Sequence, residues 1–254
     1  MDMKRIIGLI IVLVSVDNAL ATDYKCNTAS SCGCSSSTTT TVMSKIVGGE
    51  TAPANVWGWM VSLQRSTTHM CGASLLSATS AITASHCIAD YITKPSTLRI
   101  VVGINNLNDQ TSTRQIRSVN KIIKHPNYQN ETELNDIAII QFTSLDITSN
   151  SKLAFICLPS AGKDPFKTNT NLVAIGWGVL KESSNYVSNS LQQVTVKAYS
   201  DSSSECIKAD KTNSTTQFCA GVSGGGKGKS PSSFIRIEFF FNQNKITNCR
   251  YMPR

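Results

Sequence analysis

A succession of short β-prone segments, each closed off by turn residues, leaves this chain few folds to choose from. Trp59–Leu63, Ala73–Leu76, Leu98–Val102, Ile116–Ile123 and Ile137–Ile140 are brief and rich in β-branched side chains, with Gly, Pro, Asn or Ser clusters between them. A second group runs through Leu172–Ile175, Leu191–Val196 and Gln217–Ala220. No long amphipathic helix and no repeat of solenoid length interrupts the series. A chain of 254 residues can bury a full core. The pattern predicts an all-β protein of two small barrels in tandem, with a boundary near Asn150 to Pro159.

Charge adds little. The net charge of +8 comes from scattered Lys and Arg, with no run long enough to serve as a nucleic-acid or membrane patch. It favours solubility and a mild bias toward acidic partners. No nucleic-acid partner is expected.

The first residues are more specific. Lys4 and Arg5 precede an apolar run from Ile6 to Val16, and small residues at Ala19 and Ala21 suit a signal-peptidase site. A membrane anchor is the other reading, but spanning a bilayer takes about 20 apolar residues and this run is shorter. Residues 1–21 are therefore expected to be a secretory signal, leaving a secreted, extracellular protein with no membrane association. Its nine cysteines, at 26, 32, 34, 71, 87, 157, 206, 219 and 249, are then disulfide candidates before they are metal ligands. Asn130 and Asn213 head glycosylation triplets consistent with export.

Ser35 to Thr41 is a Ser/Thr tract without hydrophobic periodicity, which predicts an exposed, flexible linker. Just beyond it, Lys45 offers a basic cleavage point, and cutting there would create a new apolar N-terminus at Ile46 followed by Gly48-Gly49. Residues 22–45 would then be a propeptide.

Histidines and aspartates are the residues that could carry chemistry. His86 stands in Thr83-Ala84-Ser85-His86-Cys87. A histidine next to a structural cysteine is, by itself, more often a packed side chain than a base. Asp136 opens the apolar run Asp136-Ile137-Ala138-Ile139-Ile140, where a carboxylate needs a partner unless it lies exposed at the strand end. His69 and His125 lie in polar, turn-like contexts and are expected at the surface. The Asn105 to Ser112 loop has Asp109 as its one acidic residue, too few carboxylates for a calcium site, so no metal or other cofactor is expected.

Taken in order, Lys45-Ile46-Val47-Gly48-Gly49, the His86 and Asp136 segments, Gly176-Trp177-Gly178 and Phe218-Cys219-Ala220-Gly221 are similar to the trypsin/chymotrypsin family of secreted serine proteases, over residues 45–227. The resemblance implies chymotrypsin-like tandem six-stranded β-barrels, the first complete and the second incomplete, in a domain covering 46–227. It implies a zymogen activated at Lys45-Ile46, acting as a monomer on protein or peptide substrates and bound by protease inhibitors. His86 takes the role of general base and acid, and Asp136 that of the group orienting its imidazole. Cys71–Cys87 and Cys206–Cys219 become the matching disulfides, and Cys157 a tether to Cys26, Cys32 or Cys34.

The resemblance stops after Lys227. Trypsin-like members continue toward D-S-C-Q-G-D-S-G-G-P, whereas this chain reads Gly228-Lys229-Ser230-Pro231-Ser232-Ser233-Phe234. Phe234 occupies the ordinal place of the nucleophilic serine. Ser230, Ser232 and Ser233 lack the Gly-bearing turn that an oxyanion hole requires. The chain as written is expected to be inactive, with a non-catalytic pseudoprotease that binds partners or inhibitors as the alternative. Phe234 to Phe241 is strongly β-prone and hazardous if unpaired, and the usual pairing of the second barrel is not expected to close. Gly228-Lys229-Ser230 can be encoded by a stretch containing GTAAGT, a typical intron start, so 228–254 reads as an unrelated tail from intron read-through.

Overall fold

The computed structural model describes residues 21–43, 49–132, 134–148, 152–158, 168–180, 186–200, 202–204 and 219–221, together with the backbone of 240–242 and 245–247. Six strands close into a barrel: β4 (Met60–Arg65), β5 (Thr68–Ser77), β6 (Ser80–Thr83), β7 (Leu98–Val102), β8 (Gln115–Lys124) and β9 (Ala138–Phe142), paired in the order β4-β5-β6-β9-β8-β7. Every pairing is antiparallel. β9 shows the inward–outward alternation of a barrel strand, with Ala138, Ile140 and Phe142 buried and Gln141 exposed. β6, which the sequence pattern did not single out, supplies only Ser-Ala-Ile-Thr and is identified by its partners rather than by its composition.

β4 is buried along almost its whole length, including two polar residues. Ser62 and Gln64 are satisfied internally: Gln64 Nε2 donates to Ser62 Oγ at 3.1 Å, and Gln64 Oε1 accepts from Arg99 Nε and a terminal guanidinium nitrogen at 3.0 and 2.8 Å.

β10 (Asn171–Gly176), β11 (Gln192–Tyr199), β12 (Cys219–Gly221), β13 (Phe240–Asn242) and β14 (Lys245–Thr247) form a second sheet in the order β12-β11-β10-β13-β14, with the short β3 (Glu50–Thr51) paired to β11. Leu172 to Ile175 and Gln193 to Val196 are buried continuously, as expected of central strands covered on both faces. The described part of the tail takes a place in this sheet. Its last β-prone residues are not left unpaired, because β13 lies antiparallel to β10 with Phe241 opposite Val173 and Phe240 opposite Ala174. β14 then turns back on β13. Residues 228–239 lie outside the described residues.

The Ser/Thr tract departs from expectation. β1 (Ala21–Lys25) and β2 (Thr39–Met43) form an antiparallel hairpin, pairing Ala21 with Met43 and Lys25 with Thr39. Thr40 and Val42 are buried, Val42 completely. Threonine is a good strand former when one face can be covered. Single-sequence pattern missed the segment because the covering surface lies far away in the chain, on β11.

Candidate active site

The local chain places the histidine first. β6 ends at Thr83, and Ser85–Cys87 forms a single 3-10 turn whose flanking Ala84 is extended. Ser85 Oγ donates to Ile137 O at 2.7 Å, stitching this turn to the residue after Asp136. Cys87 is bonded to Cys71 on β5, which pins the other side.

Asp136 is positioned by a sharp turn. Asn135 has φ of 56°, a left-handed conformation that Asn tolerates better than most residues. Ile137 N donates to Asn135 O at 2.8 Å, and Asn135 Nδ2 donates to Asn127 O at 2.9 Å. The carboxylate thereby reaches back to the histidine turn. Its Oδ1 accepts from the backbone N–H of His86 at 2.8 Å, and its Oδ2 lies 2.7 Å from His86 Nδ1. The His86 side chain is 28% exposed and that of Asp136 14%. A carboxylate holding both the backbone and the ring of one histidine fixes its orientation and assigns the ring proton to Nδ1. Nε2 is left facing Cys87 Sγ at 3.3 Å.

Tyr128, which sequence reasoning did not select, borders this pair. Its phenol is raised above the ordinary tyrosine value by desolvation first, then by the charges of Asp136 and Asp90. The Lys124 ammonium sits over its ring, 5.3 Å from the centroid. A tyrosine in a polar loop carries no periodic signal, so only the return of that loop to Asp136 reveals it.

The other histidines divide. His125 stays partly exposed, its Nδ1 accepting from Asn127 N at 3.2 Å. His69 is half-buried rather than exposed at the surface. It lies on β5 with Nδ1 2.8 Å from Ser62 Oγ and its ring edge-on to Trp177 at 5.6 Å, and burial lowers its pKa to about 4. Gly176-Trp177-Gly178 thus supplies a core residue: Trp177 is 1% exposed and donates through Nε1 to Asn105 O.

Three disulfides join described residues: Cys26–Cys34, Cys32–Cys157 and Cys71–Cys87. Among the three candidate partners of Cys157 the structure selects Cys32. Cys219 is also disulfide-bonded, while Cys206 lies outside the described residues, as do Lys45, Ile46, Asn213 and Phe234. Asn130 is exposed. Cys71, His86 and Cys87 hold ligand-type atoms within 4.8 Å of one another, but sulfurs joined in a disulfide are not thiolate ligands. In the Asn105 to Ser112 loop, Asp109 Oδ2 accepts from Asn105 N and Asn106 N at 3.0 and 2.8 Å, so that carboxylate holds the loop itself.

Comparison with known proteins bears on the family and the fold. The family profile described as Trypsin matches residues 46–232, continuing slightly past Lys227. Trypsin-1 of Astacus astacus is 35% identical over 190 residues, covering 72% of this chain and 77% of that protein. Serine protease 56 of Mus musculus is 29% identical over 188 residues, covering 74% of this chain but 30% of the longer mouse protein. A solved structure of human heparin binding protein superposes with a TM-score of 0.59 at 23% identity, covering 70% of this chain and 72% of that one, which speaks to the fold. The chain belongs to the trypsin family of serine proteases.

Proposed function

We propose that the gene encodes a secreted serine endopeptidase, made as a zymogen and cut between Lys45 and Ile46, and that the chain in its present form does not hydrolyse peptides. The observation that carries the first half is the His86–Asp136 pair, with both carboxylate oxygens committed to one histidine. In a protease of this family such a pair takes the proton of a serine hydroxyl and returns it to the leaving amine. The second half rests on residues 228–234. Phe234 has no hydroxyl to deprotonate, and the preceding serines lack a glycine turn to present two amides to an oxyanion.

Expression of the chain as written and assay against arginyl, lysyl and aromatic peptide substrates tests this. No turnover is expected. Turnover that disappears in His86→Ala overturns it.

A second reading, a non-catalytic protein that binds inhibitors or peptides, is favoured by one observation: β13 of the tail pairs with β10, so the tail has a place in the sheet. Transcript sequencing across the Lys227 codon separates the two. A spliced message continuing Asp-Ser-Cys supports intron read-through and an active enzyme. A uniform message encoding residues 228–254 supports the binder.

A further inference from the structure

We infer that residues 22–43 are a built-in structural subunit, docked on the second sheet by a non-covalent interface that outlasts cleavage at Lys45. The inference rests on the activation reading above but goes beyond a disulfide tether.

The interface is assembled from both strands of the hairpin and from the loop between them. On β2, Val42 is fully buried and Thr40 is 8% exposed. Across from them Thr195 of β11 forms a relay: it accepts from Tyr24 OH at 3.3 Å and donates to Val42 O at 3.2 Å. Tyr24 is desolvated enough to push its phenol up to about 12. At the hairpin's outer end, Asn171 Nδ2 donates to Thr22 Oγ1 at 3.3 Å.

The intervening loop is held independently. Ser35 and Ser36 hydroxyls both donate to Asn55 O at 2.7 Å, and Gly33 N donates to Phe155 O at 2.7 Å. Gly58 allows this approach: a Cβ there would lie 2.5 Å from Lys152 O and 3.1 Å from Ser35 Oγ. The void left beneath the segment, lined by Tyr24, Cys26, Trp57, Trp59, Ile156 and Val173, is only about 40 Å³.

Glu50 closes the arrangement. Its Oε1 accepts from Met43 N at 2.8 Å and from Gln193 Nε2 at 3.1 Å. The contacts to Met43, Val42, Ser36, Ser35, Gly33, Tyr24 and Thr22 all join residues up to 43 to residues from 50 onward, so none of them depends on the peptide bond between Lys45 and Ile46. Cys32–Cys157 adds a covalent link to an interface already satisfied in its apolar and polar parts.

The test uses the full chain. It is cut after Lys45 with a lysine-specific protease, or at a recognition site placed between Met43 and Ile46 if Lys45 resists; that resistance counts against the activation reading alone. The Cys32–Cys157 bond is then opened, by mild reduction or by the double substitution Cys32→Ser and Cys157→Ser, and the product is examined by size exclusion and native mass spectrometry. Co-elution of the segment with the body is expected, and so is release about 10- to 100-fold faster in Val42→Asp, from the lost burial of one aliphatic side chain. Elution of the segment alone overturns the inference. A second readout covers variants that fail to fold. In cut wild-type protein with its disulfides intact, amide hydrogen exchange at Tyr24–Lys25 and Thr39–Met43 should stay slow, and full exchange at those amides also overturns it.

Discussion

His69 shows how one side chain couples burial to pH. Its neighbours are a hydroxyl, Ser62, and an aromatic ring, Trp177, and burial lowers its pKa from 6.5 to about 4. The unfolded chain therefore binds more protons than the native one between about pH 4 and 6.5. Stability from this group is complete above the unfolded value and is lost as pH falls through the folded value. A difference of about 2.5 units corresponds to at most about 3 kcal/mol. Urea unfolding of wild type and His69→Gln at several pH values checks this: the wild type should lose that stability between about pH 6.5 and 4, and the variant should lack that part of the slope. Parallel slopes in the two proteins would remove the argument.

Among the elements, the turn after β7 depends most narrowly on one residue type. Gly103 has φ of 71°, and a Cβ built there would lie 2.1 Å from Thr113 O, while Thr113 Oγ1 donates to Gly103 O at 2.9 Å. A left-handed conformation costs a residue with a Cβ about 1–2 kcal/mol before any clash. Gly103→Ala should lower stability by at least about 1–2 kcal/mol, read as a lower denaturant midpoint with little change in slope. The β1–β2 hairpin poses the opposite case. Its sequence tolerates many conformations in isolation, and burial of Val42 against β11 selects the strand.

For the whole molecule, the contacts between the two sheets matter most. Trp57 Nε1 donates to Gln193 Oε1 at 2.8 Å across 136 positions of sequence, in a buried setting. Asn105 works nearby, with Nδ2 donating to Ala52 O while its carbonyl accepts from Leu191 N and Trp177 Nε1. Trp57→Phe keeps most of the apolar bulk but strips Gln193 Oε1 of this donor, which should cost about 1–3 kcal/mol. Thermal unfolding followed together by tryptophan fluorescence and far-ultraviolet circular dichroism would measure it. A variant as stable as wild type would mean that this link does not bind the sheets together.

Most of the strands were legible because each carries its own apolar residues and turn boundaries within a few positions, as Leu98–Val102 and Leu172–Ile175 do. His86 and Asp136 could be named from short motifs, but their meeting could not be read from local pattern, because they are 50 positions apart and join only when β6 and β9 pair. β6, the hairpin of 21–43, the burial of His69 and the attachment of Phe240–Asn242 to β10 all depend on partners supplied by distant segments. Polar or neutral stretches acquire a conformation only when another surface removes them from water, and that surface exists only once the chain has folded.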